Sequence, residues 1–309
     1  MVSKLQIQAC KTPENLSMGD TIGIISTARK ISKEEISFAK KIINDAGYKF
    51  ILGKNLFGHY HQFSGTAEER AEDLNDMFAD KKVKAILCAR GGYGTVQLLP
   101  LLNQQQIKEN PKWLIGYSDV TVLHSYLHHQ FQMQTLHATM PINFASYTST
   151  DLPITSMFDI LKGKSLSYKI SATKFNKEGK AEGVLVGGNL SILFSLRGTL
   201  ADIDTDGKIL FIEDLDEYLY HIDRMMMNLK IGGKLKNLKA LIVGGMSDMN
   251  DNVIPFGKTA KEIIYDAVKT YNYPLIFDFP AGHIHNNWAL PFGKKVKIKV
   301  DKTEAQIQF

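Results

Sequence analysis

Three residues of the sequence have the types that acyl transfer requires, and each follows a short apolar run. Ser118 comes directly after residues 113–117, Glu213 comes directly after residues 209–212, and His283 lies shortly behind a third run. Apolar runs of this length predict strands, and strand ends in an open parallel sheet meet at the edge where ligands bind. The chain order serine, acid, histidine is one in which catalytic triads occur. The pattern therefore indicates acyl-transfer chemistry.

Ser118 lies at a predicted junction between a strand and a helix. A serine on such a turn presents its hydroxyl at the sheet edge, and the N–H groups that follow, beginning at Asp119, face the same space. The nucleophile-elbow pattern Gly-x-Ser-x-Gly is incomplete, because Val120 stands where the second glycine would be. A serine that only caps the helix explains the same pattern, so both interpretations are open at this point.

A glycine-rich turn, Arg90-Gly-Gly-Tyr-Gly94, also follows a predicted strand and opens a helix. Glycine allows the backbone to approach a ligand closely and to direct N–H groups at an anion. The turn could therefore hold a carboxylate, a phosphate or an oxyanion. Its spacing matches neither the P-loop nor the dinucleotide fingerprint. A tight connection without any ligand explains it equally well.

Glu213 opens an acidic stretch that continues to Glu217. A carboxylate at a strand end can accept a hydrogen bond from a histidine ring and hold that ring in one orientation. A solvated acidic loop is the alternative interpretation.

His283 follows Gly282 in a loop shaped by glycine and proline, and His285 stands two residues further on. This pair, like His59 and His61, has the form of two metal ligands. Two histidines without a third ligand at defined spacing are weak support for zinc, so we expect no metal.

The first half of the chain alternates strand and helix patterns, which predicts a parallel, doubly wound α/β sheet. Its predicted strands are 21–25, 48–52, 83–89, 113–117 and 135–138, and its predicted helices are 32–46, 67–79, a helix ending at 102, and 120–129. The second half has predicted strands at 183–186, 209–212, 240–244, 275–277, 296–300 and 306–309, with helices at 220–229 and 258–270. This half is expected to form a second, smaller α/β domain.

Residues 141–182 change in character, because serine, threonine, lysine and glycine dominate and the periodicity is weak. We expect a connection here that contains one short helix, at 154–161. The predicted organisation is an N-terminal domain over 1–145 that carries the serine, a linker over 146–182, and a C-terminal domain over 183–309 that carries the acid and the histidine.

The composition is that of a soluble globular chain, with 309 residues, 44% hydrophobic, 22% charged and a net charge of +5. No cluster of basic residues is interleaved with aromatic ones, so we expect no nucleic-acid partner. The lysines of residues 294–299 alternate with valine and isoleucine, which predicts a half-buried strand with one solvated face. No run approaches the roughly 18 apolar residues of a membrane span, and the polar start, residues 1–20, lacks the apolar stretch that is typical of a signal peptide. Two cysteines form neither a metal spacing nor a disulfide framework. We expect a cytoplasmic protein without a cofactor.

Several segments, in order along nearly the whole chain, resemble the LD-carboxypeptidase family, which includes murein tetrapeptide carboxypeptidases and microcin-immunity serine peptidases. No single segment is specific, but the ordered set is. The matching segments are Gly19-Asp-Thr-Ile-Gly-Ile-Ile, Ala-Arg90-Gly-Gly-Tyr-Gly94, Gly116-Tyr-Ser118-Asp-Val-Thr, Leu136-His-Ala-Thr-Met-Pro141, Val186-Gly-Gly-Asn189-Leu, Phe211-Ile-Glu213-Asp, Tyr220-His-Ile-Asp-Arg224-Met and Gly282-His283.

The resemblance implies an N-terminal flavodoxin-like domain, a C-terminal α/β domain and an active site between them. It implies a metal-free serine peptidase that releases the terminal D-alanine from a murein tetrapeptide, and a homodimer. Carried over by position, the catalytic residues are Ser118 as nucleophile, His283 as base and Glu213 as the acid that orients the base. The oxyanion hole is assigned to the backbone N–H groups of Gly92 and Asp119, and the substrate-binding residues to Arg90 and Asn189.

The sequence departs from the family pattern in three places, which leaves the substrate preference open. Ser26-Thr27-Ala28 replaces Ala-Pro-Ala, Tyr218-Leu219 replaces a proline pair, and the histidine loop reads Ile284-His285-Asn286. One alternative within the family is a peptidase that detoxifies a peptide-nucleotide antibiotic. Trp288 could supply an aromatic platform for its base, but a buried packing role explains this residue at least as well. A non-enzymatic binder of small ligands and a metallohydrolase are alternatives from other classes.

Overall fold

The protein is built on two β-sheets with helices packed against them, as seen in a computed structural model that describes residues 10–309. The start of the polar N-terminal segment, residues 1–9, lies outside the described residues. Among residues 10–309 every helix is too short or too polar to cross a membrane. The α/β fold class predicted from the sequence is confirmed.

The elements follow each other with short connections. The strands are β1 (Thr21–Ile25), β2 (Lys49–Leu52), β3 (Val83–Cys88), β4 (Trp113–Gly116), β5 (Thr135–His137), β6 (Ser167–Ser171), β7 (Gly179–Asn189), β8 (Ile209–Leu215), β9 (Ala240–Ser247), β10 (Leu275–Ile276), β11 (Leu290–Phe292), β12 (Lys295–Val300) and β13 (Glu304–Gln308). The α-helices are α1 (Lys33–Asp45), α2 (Ala67–Ala79), α3 (Gln104–Glu109), α4 (Thr121–Phe131), α5 (Leu152–Leu161), α6 (Leu190–Ser195), α7 (Leu219–Ile231) and α8 (Ala260–Val268). Three short 3-10 helices are Thr95–Leu101, Ser118–Val120 and Pro141–Ser146.

The first sheet has the strand order β11-β5-β4-β3-β1-β2, and its strands from β5 to β2 are parallel. Strands β3 and β4 are buried along nearly their whole length, which explains their continuous apolar sequences. Helices α1 and α5 pack on one face, and α2 and α4 pack on the other. The carboxyl ends of β3 and β4 therefore lie side by side at one edge of the sheet.

The second sheet has the order β10-β9-β8-β7-β12-β13-β6. Strands β10, β9, β8 and β7 are parallel, whereas β12, β13 and β6 join them through antiparallel pairs. The long β7 belongs to both parts, because its first half pairs with β12 and its second half with β8. The end of β8 places Glu213 at the edge that faces the first sheet's strand ends.

The chain crosses between the two halves more than once. Strand β11, from the C-terminal part of the chain, completes the first sheet by pairing antiparallel with β5. The expected linker, 146–182, contains helix α5, strand β6 and the start of β7. Apolar residues of α5 are buried in the same core as α1, and β6 pairs with β13. The predicted boundaries at 145 and 183 stay predictions. The segment between them packs helix α5 against the first sheet and adds strand β6 to the second.

Local signals account for most of the predicted elements. Ser32 caps α1 and forms a capping box with Glu35, which explains why the helix predicted over 32–46 begins there. Strand β12 alternates exposed and buried residues, which confirms the half-buried pattern of its lysines. The helix predicted to end at 102 is instead a 3-10 helix over Thr95–Leu101, since Pro100 lacks the N–H that an α-helix would use. The short elements β6, β11, α3 and α6 were not predicted, because each is near the length at which periodicity carries no signal.

Candidate active site

Ser118 begins a 3-10 helix one residue beyond the end of β4, and its backbone angle φ is +64°, in the left-handed region. A non-glycine residue in this region is strained, and such strain clusters at functional sites. The turn directs the hydroxyl out of the sheet edge instead of toward the helix that follows. Helix α4 has Val120 as its N-cap, without a side-chain capping bond. The interpretation of Ser118 as a simple helix cap is therefore wrong.

Ser118, His283 and Glu213 form one chain of hydrogen bonds across the two sheets. Ser118 Oγ lies 3.0 Å from His283 Nε2, and His283 Nδ1 lies 2.7 Å from Glu213 Oε2. Because a carboxylate only accepts, Nδ1 carries the proton and Nε2 is free to accept from the serine hydroxyl. Ser118 and His283, 165 positions apart in the chain, thus lie in hydrogen-bond contact. The His283 ring has the tautomer that a general base needs.

The acid of this chain is fully buried and the histidine nearly so. Glu213 has no exposed side-chain surface, and 15% of the His283 side chain is exposed. Burial alone would lower the pKa of His283, but the Glu213 carboxylate outweighs it and raises that pKa above its ordinary value. The protonated ring that forms during acyl transfer is therefore stabilised by its neighbour.

The loop that carries His283 is fixed by contacts on both sides of the residue. The His283 N–H donates to Glu213 Oε2 at 3.1 Å, and Ser247 Oγ donates to the His283 carbonyl at 2.7 Å. Gly282 has a φ of +103°, and a Cβ there would lie 2.6 Å from Glu213 Oε2. Only glycine therefore allows the loop to pass this close to the buried acid. The Tyr117 ring packs against the His283 ring, with 4.9 Å between centroids.

The glycine-rich turn lies against the nucleophile. A Cβ on Gly91 would come within 3.0 Å of Ser118 Cβ and 3.4 Å of the Asp119 nitrogen, so the turn and the start of the 3-10 helix are in contact. Gly92 has a φ of +111° and borders the aliphatic part of Arg29. The turn thus lies beside Ser118, which is where an oxyanion would form. The donor roles of Gly92 and Asp119 stay a prediction.

Asn189 has a structural task that the sequence did not reveal. Its side-chain oxygen caps α6 by accepting from Ile192 N at 3.1 Å, and its Nδ2 donates to Asp214 Oδ1 at 2.9 Å. The Asn189 N–H donates to Thr121 Oγ1 at 3.0 Å, which ties the second sheet to α4. Asn189 borders the cleft, but most of its hydrogen-bonding capacity is used within the protein.

The chain of hydrogen bonds opens into a cleft of about 420 Å³ between the two sheets. Arg90 lies on its wall, where Nη1 donates to the Lys30 carbonyl at 3.3 Å. Arg29 lies on the same wall, and Asp214 and Asp216 lie on the opposite one. The first-sheet side of the cleft therefore presents two guanidinium groups, with the carboxylate of Asp119 buried beneath them, and the second-sheet side presents the exposed carboxylate of Asp216. Burial raises the pKa of Asp214 to about 7, with the neighbouring Glu213 charge adding to the effect.

Two histidine pairs considered as metal ligands are used differently. His59 Nε2 lies 3.0 Å from Lys30 Nζ, and the His285 ring packs against Tyr147. Within residues 10–309 no group of three or more histidine, cysteine, aspartate or glutamate side chains is arranged to hold a metal ion.

Sequence reasoning missed four residues that shape the site. Tyr117, Ser247, Arg29 and Arg70 each support an element of it through contacts distant in the chain. Arg70 alone carried a local signal, because an arginine at a position that the helical spacing turns inward is unusual. The others have no sequence signal, since their partners are set by the tertiary fold.

The protein has an α/β fold with two sheets, and a cleft lies between them. Serine, histidine and buried glutamate are hydrogen-bonded in series at this cleft. This arrangement defines a serine hydrolase. Sequence profiles of the LD-carboxypeptidase N-terminal domain and C-terminal domain match residues 22–138 and 182–298, respectively. The chain therefore belongs to the LD-carboxypeptidase family.

Relatives named for their functions match nearly the whole chain. A probable murein peptide carboxypeptidase of Bacillus subtilis is 35% identical, over 96% of this chain and 94% of the relative. The murein tetrapeptide carboxypeptidase of Pseudomonas aeruginosa is 28% identical, over 90% and 92%. The microcin C7 self-immunity protein MccF of Escherichia coli is 27% identical, over 94% of both chains.

Solved structures have the same fold. The crystal structure of muramoyltetrapeptide carboxypeptidase from Oxalobacter formigenes superposes with a TM-score of 0.84 at 25% identity, covering 93% of this chain and 98% of that one. The wild-type apo structure of MccF superposes with a TM-score of 0.87 at 24% identity, covering 98% and 99%.

Proposed function

We propose that this protein is a serine LD-carboxypeptidase that hydrolyses the amide between the L-centre of the diamino acid and the terminal D-alanine of murein tetrapeptides. The hydrogen-bonded chain Ser118–His283–Glu213, at the mouth of the cleft, is the observation that carries the proposal. The murein peptide carboxypeptidases among the relatives support the choice of substrate.

In the first half of the reaction, His283 Nε2 takes the proton of the Ser118 hydroxyl while Ser118 Oγ attacks the carbonyl carbon of the amide. The carbonyl oxygen becomes an oxyanion, which accepts hydrogen bonds from the N–H groups of Gly92 and Asp119. His283 then gives its proton to the amide nitrogen, the C–N bond breaks, and D-alanine leaves with a neutral amino group. The remaining peptide is bound as an ester of Ser118.

In the second half, His283 takes a proton from water, and the resulting hydroxide oxygen attacks the ester carbonyl. The C–O bond to Ser118 breaks, and His283 returns the proton to Ser118 Oγ. The shortened peptide is formed as a carboxylic acid, which gives its remaining proton to solvent and leaves as a carboxylate. Glu213 accepts from His283 Nδ1 throughout and stabilises the charged ring in both halves. No metal or cofactor takes part in these steps.

The charges of the cleft support an orientation for the substrate. The D-alanine carboxylate is expected at the wall that carries Arg29 and Arg90, because guanidinium groups bind carboxylates with paired hydrogen bonds. The amino group of the diamino acid is then directed to the opposite wall, near Asp216. This orientation brings the terminal amide beside Ser118.

The alternative substrate is a peptide-nucleotide antibiotic, as the name of the relative MccF suggests. The expected aromatic platform, Trp288, instead packs against Tyr168 and Phe279, with ring centroids 5.0 and 6.1 Å away. Trp288 is also not among the residues that border the cleft. No other observation favours a nucleotide, so the murein peptide is the preferred proposal.

The test is mass spectrometry of a purified murein tetrapeptide incubated with the protein, with and without a chelator. Wild type is expected to release one D-alanine in both conditions, and Ser118→Ala to lose at least about 10⁴-fold in rate. The matched control is Ser195→Ala, since the Ser195 side chain is exposed and its hydroxyl donates to the Ile192 carbonyl of its own helix, α6. Failure of wild type to release D-alanine would contradict the proposal, and an aminoacyl sulfamoyl adenosine would then be the next substrate to test.

The proposal includes a cytoplasmic homodimer that acts on peptides recovered from the cell wall. Both described cysteines are free thiols, which suits a reducing compartment. Cell fractionation tests the location, and light scattering on the purified protein tests the dimer. A periplasmic protein or a monomer at micromolar concentration would contradict the respective part.

A further inference from the structure

The guanidinium of Arg70, on α2, is buried beneath the glycine-rich turn. The residue is 1% exposed, and its side chain donates to backbone carbonyls on three different segments. Nη1 donates to the Thr27 carbonyl at 2.6 Å and to the Gly94 carbonyl at 3.0 Å, and Nε donates to the Thr66 carbonyl at 3.2 Å. Nη2 donates to Gln97 Oε1 at 2.7 Å. A charge is rarely buried without a paired carboxylate, so these bonds are the compensation for its desolvation.

The bonds of Arg70 continue to the residue that follows the nucleophile. Gly94, whose carbonyl Arg70 holds, ends the glycine-rich turn with a φ of +130°. The next residue, Thr95, donates its N–H to Asp119 Oδ2 at 2.9 Å, and its hydroxyl lies 3.0 Å from the Thr27 hydroxyl. Arg70, Thr27, Thr95 and Asp119 are all buried. One side chain of α2 therefore connects the turn to the start of the helix behind Ser118.

We propose that Arg70 is a positioning residue of the reaction, which holds the glycine-rich turn at a fixed distance from Asp119 and so pre-organises the two oxyanion donors. The inference rests on the proposed function, because it takes the N–H groups of Gly92 and Asp119 as the oxyanion hole. Arg70 is not among the residues that border the cleft, so it acts through the turn and not on the substrate.

The glycine-rich turn needs such support because its backbone is flexible. Its glycines adopt positive φ angles without cost and could adopt other conformations as readily. Donors stabilise an oxyanion well only when they are already directed at it before the charge forms. Arg70 restricts the turn through the Gly94 carbonyl, and Asp119 restricts it from the other side through the Thr95 N–H. The positive charge of Arg70 also offsets the buried Asp119 carboxylate.

The decisive variant is Arg70→Lys, which keeps the charge but not the fork that reaches several carbonyls at once. We expect kcat to fall by about tenfold or more, with KM within about twofold of wild type. An aldehyde analogue of the peptide, which forms a tetrahedral adduct with Ser118, should lose affinity by the same factor as kcat/KM. An uncleavable amide analogue should bind as it does to wild type.

Lys112, which directly precedes β4, offers a matched control that binds the same helix, α2. It is also a buried cation, and its ammonium donates to carbonyls at the end of α2, among them Met77 O at 2.6 Å. Lys112→Met should reduce the temperature of unfolding without changing kcat or the affinity of the aldehyde. A folded Arg70→Lys variant with wild-type kcat and aldehyde affinity would overturn the proposal.

A second variant covers the case in which Arg70→Lys does not fold. Gln97 lies half-buried on the surface side of Arg70 and accepts from Nη2, so Gln97→Met removes one support of the guanidinium. It should lower kcat and aldehyde affinity together by about threefold. Wild-type values for Gln97→Met, together with an unfolded Arg70→Lys, would also overturn the proposal.

A probe that needs no peptide distinguishes failure of the substrate assignment from failure of the proposal for Arg70. A fluorophosphonate labels an activated serine, and its phosphoryl oxygen uses the same oxyanion donors. If wild type does not cleave the tetrapeptide, the substrate assignment fails, and the rate of Ser118 labelling still tests Arg70. Slower labelling of Arg70→Lys than of wild type and Lys112→Met supports the positioning role, and equal rates contradict it.

Discussion

At the scale of single residues, the site depends on the charge of a buried carboxylate. Glu213 is sealed from solvent and gives Oε2 to both the ring and the backbone N–H of His283. This double contact fixes the ring plane and the tautomer together. It also explains why the pKa of His283 is raised although burial works in the opposite direction.

A change of Glu213 to glutamine tests this directly. The base must be neutral, so kcat/KM of wild type should rise with pH through the raised pKa of His283, above its ordinary value of 6.5. Glu213→Gln removes the charge that raises this pKa, so the rise should move to lower pH. We also expect kcat to fall by about a hundredfold or more, because the amide no longer stabilises the protonated ring. The measurement is the pH profile of kcat/KM.

Glu217→Gln is the control for this prediction, because Glu217 lies in the same acidic stretch but binds His221 at 2.5 Å. Its profile should match that of wild type. A Glu213→Gln profile with the same acidic limb as wild type would show that Glu213 does not set the pKa of His283.

At the scale of elements, two tight turns bring backbone and catalytic side chains into contact. The turn after β4 gives Ser118 its strained φ, and the loop after β10 passes Glu213 at a distance that only Gly282 permits. Both loops are held by bonds from other segments, such as Ser247 to the His283 carbonyl. The distances between the catalytic side chains therefore depend on loops that are held in place by contacts with other segments.

Gly282→Ala tests the close approach. The new Cβ would meet Glu213 Oε2 at 2.6 Å in a backbone region that alanine disfavours. We expect the free energy of unfolding to fall by about 3 kcal/mol or more and hydrolysis to be lost, since the His283 loop must move. Urea unfolding and the peptide assay provide the two measurements.

Gly198→Ala is the matched control. Gly198 also has a positive φ, of +75°, but among residues 10–309 a Cβ there has no neighbour within 4 Å. Only the backbone cost remains, so the free energy of unfolding should fall by about 1 kcal/mol and activity should persist. Equal losses in the two variants would mean that contact with Glu213 does not matter.

At the scale of the whole molecule, the two sheets are joined by more than one crossing of the chain. Strand β11 returns from the second half to complete the first sheet, and α5 packs on the first sheet before β6 joins the second. Asn189 N–H donates to Thr121 at the start of α4, so the sheets also meet next to the active site. The parts of the site are therefore held in register by the entire fold.

This connectivity predicts a single cooperative unfolding transition. The two tryptophans report on different regions, because Trp113 is buried in β4 and Trp288 packs against Tyr168 and Phe279. In the single-tryptophan variants Trp113→Phe and Trp288→Phe, the urea midpoint seen by fluorescence should coincide with the midpoint seen by circular dichroism. The two variants serve as controls for each other. Separate fluorescence and dichroism midpoints in either variant would show that the halves unfold independently.

The sequence by itself determined the elements with strong local signals. Helix α1 and its capping box, the buried strands β3 and β4, and the alternating lysines of β12 follow from periodicity, capping and burial preferences within a few residues. The order of short motifs along the chain also identified the family, and with it the three residues that meet at the site. Such signals are local or ordered in sequence, so they need no coordinates.

Only the tertiary structure decided how distant parts meet. It excluded the helix-cap interpretation of Ser118, showed that Asn189 caps α6, and favoured the packing role of Trp288 over the aromatic platform. It also revealed Arg70 beneath the glycine-rich turn and β11 in the first sheet. These features depend on contacts between residues that are far apart in the chain. The energy of such a contact depends on the distance between its atoms and on their burial, and both are defined only in the folded chain.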